Sequence, residues 1–235
     1  MRIAILMLNC GRGSGEVARQ QARYLLSQGH QIYYIQPQEG SGLEGAFDRE
    51  VKLHGDTLPV HEYLPSADKK QKAVSAMTYD EAVAYLPAYE NALEAVIREV
   101  DVVIGHHANI TATATCNIAK RHGKPYVLFL HGTGIEPRHQ SLYDDQVWHL
   151  IQSAVESADG IIVTTEYVRE HLVRNLIDLP TSRFIVLPCG INVSEFHPDN
   201  TRGIREKYAL PERYVICPGA LTSAKGPQNV VASSV

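Results

Sequence analysis

Long apolar runs are missing from this 235-residue chain. No segment approaches the roughly 18 uncharged apolar residues of a membrane span. The first run, Ile3 to Leu8, meets Asn9 and a glycine cluster at once, too soon for a signal-peptide core. Cysteine is sparse as well: Cys10, Cys116, Cys189 and Cys217 are scattered without a C-x-x-C pair, which excludes a zinc ribbon and a disulfide framework. A reducing cytosol suits them, so a cytoplasmic location is expected, with peripheral membrane contact left open. Positive charge is not in excess either. Twenty-two Lys and Arg against 26 Asp and Glu give −4, so the field that sequence-independent nucleic-acid binding needs is absent and nucleic acid is not an expected partner.

What is present reads as a globular α/β chain. Short β-rich apolar runs alternate with longer amphipathic stretches, the pattern of a doubly wound parallel sheet with helices on both faces. Strands are expected at Arg2–Leu8, Gln31–Ile35, Asp101–Ile104, Tyr126–Leu130, Gly160–Val163 and Phe184–Leu187. Helices are expected at Glu16–Gln28 with Val17, Tyr24 and Leu25 inward, at Asp80–Val100 with a break at Pro87, and at Ala112–His122, stopped by Gly123. Two more are expected at Leu142–Ser157 and Glu166–Asn175. The stretch Gln38–Lys72 lacks periodicity and is longer than most loops, so a short hairpin or mobility is expected there.

After Pro188 the texture turns to a linker, a short helix near Ile204–Tyr208 and a new strand, Tyr214–Cys217. The expected organisation is a Rossmann-like domain over 1–190, a linker over 191–211 and the start of a second domain over 212–235. Too few residues follow Pro211 to build an independent core. The strand at Tyr214–Cys217 is therefore expected to be mobile or to pair with another copy of the chain, unless it docks on the first domain.

In a doubly wound sheet, ligands bind outside the carboxyl ends of the strands. Four places stand there. The first is the glycine turn of Gly11, Gly13, Ser14 and Gly15, opening a helix whose free N–H groups favour a phosphate; a tight turn with no ligand is the alternative. Glu16 stands where a dinucleotide fingerprint wants its third glycine, and Gln36 where it wants an acid, so NAD binding fails twice. The second and third are His106-His107 and His131-Gly132-Thr133-Gly134, two histidine-bearing strand ends on one rim. Adjacent His106 and His107 are expected to point apart on an extended chain, and no acid is spaced to join them in a metal site. His131–Gly134 also resembles the oxyanion loop of α/β hydrolases, but a nucleophile elbow around Ser14 would need glycine where Arg12 and Glu16 stand. The fourth place is Pro218 to Gly226, with Lys225 as a point charge for a phosphate.

Taken in order, these places resemble the group 1 glycosyltransferases of the GT-B fold, retaining enzymes that use nucleotide sugars. The glycine turn and Gly29-His30 are similar to the family's opening. The run Asp101–His106 resembles its "DvvhaH" segment and His131-Gly132 its "HG". Ala158–Glu166 resembles "AD.vi.vSe", and Val186–Pro198 resembles "viPNGvD…F.P". Gly219–Gly226 is similar to "GRl…KG", with Ala220 where arginine is usual, leaving Lys225 alone. The resemblance implies transfer of a sugar from a nucleotide diphosphate sugar to a carbohydrate or other acceptor, with retention and without a metal or other cofactor. The absence of any Asp-x-Asp accords with the last point. It implies His131 and His106 as catalytic residues. Gly11, Gly13, Ser14, Gly15, Gly132, Thr165, Glu166 and Lys225 would bind the donor. The chain by itself is expected to be inactive, and an acceptor or ligand-binding domain without turnover is the alternative.

Overall fold

The computed structural model describes residues 1–37, 40–64, 69–201, 203–219 and 226–233. The chain divides into two units, Met1–Cys189 and Gly190–Val235. The first is built on a seven-stranded sheet in the order β3-β2-β1-β6-β7-β8-β9. Its strands are β1 (Arg2–Leu6), β2 (Gln31–Gln36), β3 (Phe47–Glu50), β6 (Val102–His106), β7 (Tyr126–Leu130), β8 (Gly160–Val163) and β9 (Phe184–Val186), all paired in parallel. A separate pair, β4 (Thr57–Val60) and β5 (Lys70–Ala73), is also parallel. This is an α/β, Rossmann-like doubly wound sheet. Its strand order reverses between β1 and β6, which opens a crevice at their carboxyl ends.

Alternation along β1 fills both faces. Ala4, Leu6 and Leu8 enter one hydrophobic cluster, Ile3, Ile5 and Met7 another. The first face is covered by α3 (Leu86–Glu94), α4 (Ile110–Arg121) and α6 (Asp145–Ser157), which supply Tyr89, Leu93, Ile110, Ile118, Trp148 and Ile151 to that cluster. The second is covered by α1 (Gly13–Ser27) through Ala18 and Ala22. Tyr89 donates its hydroxyl hydrogen to the Leu8 carbonyl at 2.6 Å and so ties α3 to the end of β1.

Several elements differ from expectation, each for a local reason. Helix α1 begins at Gly13 rather than Glu16, since its first turn packs through Gly15 against the Cys10 carbonyl of the preceding turn and tertiary packing outweighs the poor helix propensity of glycine. Tyr24 is exposed, not inward; small Gly15, Ala18 and Ala22 face the sheet and let the helix lie close. Strand β6 runs on to His106, because its backbone pairs with β7 as far as His106 opposite Phe129. Helix α6 starts only at Asp145, where the Asp144 carboxylate accepts from the N–H groups of Gln146 and Val147. The expected helix 166–175 is a π-helical turn, Val168–Val173. Pro87 separates α2 (Tyr79–Val83) from α3, sitting in the first turn of the latter, where its missing N–H costs nothing.

The stretch 38–72 holds no hairpin among its described residues: β3 extends the main sheet edge, and β4 pairs with β5 in parallel. In the second unit, the described residues form a 3₁₀ turn (Pro198–Thr201), α7 (Ile204–Lys207) and α8 (Pro227–Ala232). The expected strand Tyr214–Cys217 is absent. Its backbone has no ladder partner among the described residues, and Val215 and Ile216 are 87% and 75% exposed. A strand needs a neighbour to exist as one.

Candidate functional site

Four histidines gather at the carboxyl ends of β6 and β7. His106 ends β6, and its Nδ1 lies 3.0 Å from His131 Nε2, just beyond β7. On its other side, His106 Nε2 lies 3.1 Å from Gln21 Oε1 of α1. His107 and Phe129 flank His131, each with ring centroids 4.6 Å away. His61, just past β4, lies tilted against His107 with ring centroids 4.1 Å apart.

His107 does not point away from His106, as an extended chain would require. Its φ of +69° puts it in the left-handed region, unusual for a non-glycine residue, and this turn brings both rings against His131. The conformation is held by the His107 N–H donating to the Phe129 carbonyl at 2.9 Å and by a 3.3 Å hydrogen bond between His107 Nδ1 and Thr133 Oγ1. Asn109 anchors the far end. Its Oδ1 caps α4 by accepting from the Thr111 N–H at 2.6 Å, so its Nδ2 donates to His61 Nε2 at 2.8 Å. Gly134 is dictated by packing: a Cβ there would stand 2.6 Å from the Ala108 carbonyl oxygen.

Burial makes this cluster neutral. It pushes His131 down to about 4 and His61 down to about 3, the latter with help from neighbouring His131. His106 and His107 lie well below the ordinary histidine range for the same first cause. Among the described residues no group of His, Cys, Asp or Glu is arranged to hold a metal. The rings instead bond to one another and to amides.

The glycine turn lies on the neighbouring strand end, since β1 pairs with β6 in parallel. Asn9 shapes it by accepting from the Gly11 N–H at 2.8 Å while donating to the Pro59 carbonyl at 2.8 Å. Gly11 needs its positive φ of +62°. At Gly15 a Cβ would overlap the Cys10 carbonyl oxygen, whereas at Gly13 it would meet nothing within 4 Å. The N–H groups of Gly13, Ser14 and Gly15 have no acceptor among the described residues, and Arg12 gives no side-chain cap. They form an open positive end of a 15-residue helix.

The structure thus brings His106 and His131 into contact and sets Gly11, Gly13, Ser14 and Gly15 beside them. Gly132, with φ +95°, packs toward Leu172 and Val168. Thr165 and Glu166 lie after β8. The Thr165 hydroxyl accepts from the Val168 N–H at 3.1 Å, and exposed Glu166 meets Arg169 at 3.6 Å. Neither touches the histidines in any contact of the described residues. Lys225 falls outside the described residues. Sequence reasoning missed His61, Gln21 and Asn109. Only Asn109 had a local signal, an N-cap residue before an apolar helical run; the other two are brought in by tertiary structure.

The chain matches the model of Glycosyltransferase Family 4 over residues 11–195. No curated protein matches it. Among solved structures it is similar to Arabidopsis thaliana UGT89C1 complexed with UDP-L-rhamnose, at 11% identity and a TM-score of 0.50, covering 80% of this chain and 48% of that one. It is also similar to UDP-GlcNAc 2-epimerase from Neisseria meningitidis bound to UDP-GlcNAc (12% identity, TM-score 0.48, 79% and 45% covered). A third is CalG4, the calicheamicin glycosyltransferase (18%, 0.46, 81% and 53%). The chain spans about half the length of these structures. At such identities the likeness concerns architecture alone. No helix among the described residues is long and apolar enough to cross a membrane. With the matched residues running from the glycine turn past the last strand of the sheet, the chain belongs to Glycosyltransferase Family 4.

Proposed function

We propose that this chain is the acceptor-side domain of a retaining, metal-independent glycosyltransferase that takes a nucleotide diphosphate sugar as donor. One observation carries the reading: a neutral, mutually bonded His106–His131 pair stands beside an uncapped helix start, at the point where the sheet's strand order reverses. The open N–H groups of Gly13, Ser14 and Gly15 suit the diphosphate, and the absence of a side chain at Gly13 permits close approach. His131 meets the sugar and helps to orient its anomeric carbon, with His106 behind it and the Gly132 backbone beside it. Thr165, held as a turn, and exposed Glu166 offer a further edge contact from β8. Lys225 would add a point charge to the diphosphate.

Retention rests on the likeness of the motifs. Metal independence is supported by the lack of Asp-x-Asp in the sequence; helix N–H groups would steady the leaving-group charge instead. Because the chain spans about half of the solved structures it resembles, turnover is assigned to a protein that also carries a donor-binding half, and the 235-residue chain alone is expected to bind without transferring. UDP sugars are the first donors to try, since UGT89C1 was solved with one.

The test is amide NMR of the chain titrated with UDP and with UDP-hexoses. Shifts concentrated at Gly11, Gly13, Ser14, Gly15 and Gly132 are expected. A panel of nucleotide sugars that perturbs none of these amides would end the proposal.

A further inference from the structure

Gln21 sits on α1, two turns beyond the open glycine residues, and meets His106 through its amide oxygen. An amide oxygen only accepts, so the proton of neutral His106 resides on Nε2. His106 Nδ1 is then bare, and the ring nitrogen 3.0 Å from it, His131 Nε2, has to donate. A neutral imidazole carries one N–H. His131 is therefore left with a bare Nδ1, and this atom has no hydrogen-bond partner among the described residues. The ring is partly exposed, and Phe129 and His107 confine its orientation.

We infer that Gln21 is a positioning residue: acting through His106, it fixes the proton register of His131 so that this ring presents a hydrogen-bond acceptor to a sugar hydroxyl. A bare nitrogen accepts from O–H and repels the lone pairs of an ionised phosphate oxygen. The rim is thereby divided by chemistry. Donors, the N–H groups of Gly13, Ser14 and Gly15, suit phosphate; an acceptor, His131 Nδ1, suits the sugar. The assignment of the sugar rests on the proposed function above, whereas the proton register does not.

Ring ¹⁵N NMR of the full chain reads the tautomers directly. At neutral pH both His106 and His131 are expected as Nε2–H with unprotonated Nδ1. Gln21→Met keeps the length of the side chain and removes the amide oxygen at a partly exposed helix position. Its Tm should stay near wild type, while both rings move toward tautomer-averaged shifts. UDP-glucose should shift His131 Nδ1 in the wild type where UDP alone does not, and the response should shrink in Gln21→Met. Reversed tautomers in the wild type would overturn the register even if the variant did not fold. So would unchanged ring shifts in Gln21→Met. Expected tautomers with no response to any UDP-hexose would overturn the sugar assignment and leave the register standing.

Discussion

Two corners of the same sheet edge, equally conspicuous in the sequence, are built in opposite ways. At the ends of β6 and β7, His106, His107 and Asn109 are buried and the side chains hold one another: Gln21, His106 and His131 form one bonded chain, and Asn109 and His61 another. One strand further along, beyond β8, the Thr165 hydroxyl is used in its own turn and Glu166 has 77% of its side chain exposed, with only a 3.6 Å ion pair. The first corner is organised before any ligand arrives, and the second is not. Since positioning within a fraction of an ångström separates a working site from a surface, the difference supports the proposal that the chemistry lies at β6 and β7, with β8 a supporting edge.

The sharpest way to break this comparison is to disturb the start of α1, the helix that carries Gln21 to the organised corner. Gly15→Ala forces a methyl group into the Cys10 carbonyl oxygen and should cost about 3 kcal/mol or more in thermal or urea melts. Gly13→Ala faces open space and should leave stability unchanged or raise it by up to about 1 kcal/mol through helix propensity, while weakening the donor-induced amide shifts. A Gly13→Ala protein that bound UDP-hexoses as well as wild type would separate the turn from the diphosphate.

Acid should act next, and on the buried corner only. His61 and His131 lie at about 3 and about 4 when folded, with His106 and His107 also lowered, all chiefly by burial. The unfolded chain takes up these protons near pH 6.5, so their neutral burial favours the fold fully above that pH. Stability is then lost as pH falls from about 6.5 toward the folded values, because the unfolded state binds more protons there. Tm measured from pH 7 down to pH 5, above the range in which the paired carboxylates protonate, should fall steadily; a flat profile would contradict neutral burial. The smallest effect belongs to β8. Glu166→Gln should change stability by no more than about 0.5 kcal/mol, the scale of an exposed ion pair, and should alter kcat/KM far less than a change at His131.

Much of the frame was legible because apolar runs were bounded by strong punctuation. Tyr126–Leu130 and Gly160–Val163 are strands to the residue, Pro87 divides two helices, and Gly123, with φ +60°, follows the end of α4. The stretch 47–73 was not legible. Phe47–Glu50 and Lys70–Ala73 are polar, edge-like strands that exist only because a neighbour pairs with them. The same logic runs in reverse at Tyr214–Cys217, apolar enough for a strand but without a ladder neighbour among the described residues. At the candidate site, position at strand ends was enough to single out His106 and His131 as two residues on one rim, and the structure brings their rings together. Nothing local could show that a left-handed His107 would draw the rings together, or that His61 and Gln21 would arrive from 48 residues before Asn109 and 85 before His106.

The proposed action of His131 on the sugar, rather than a mere closing of a strand, is tested most directly by His131→Ala in the active enzyme, with kcat/KM and Tm measured on the same preparation. A residue that orients the sugar should lose about 10- to 1,000-fold in kcat/KM with little change in Tm, whereas wild-type kcat/KM with a stability loss of about 1 kcal/mol would reduce His131 to a strand cap and contradict the account.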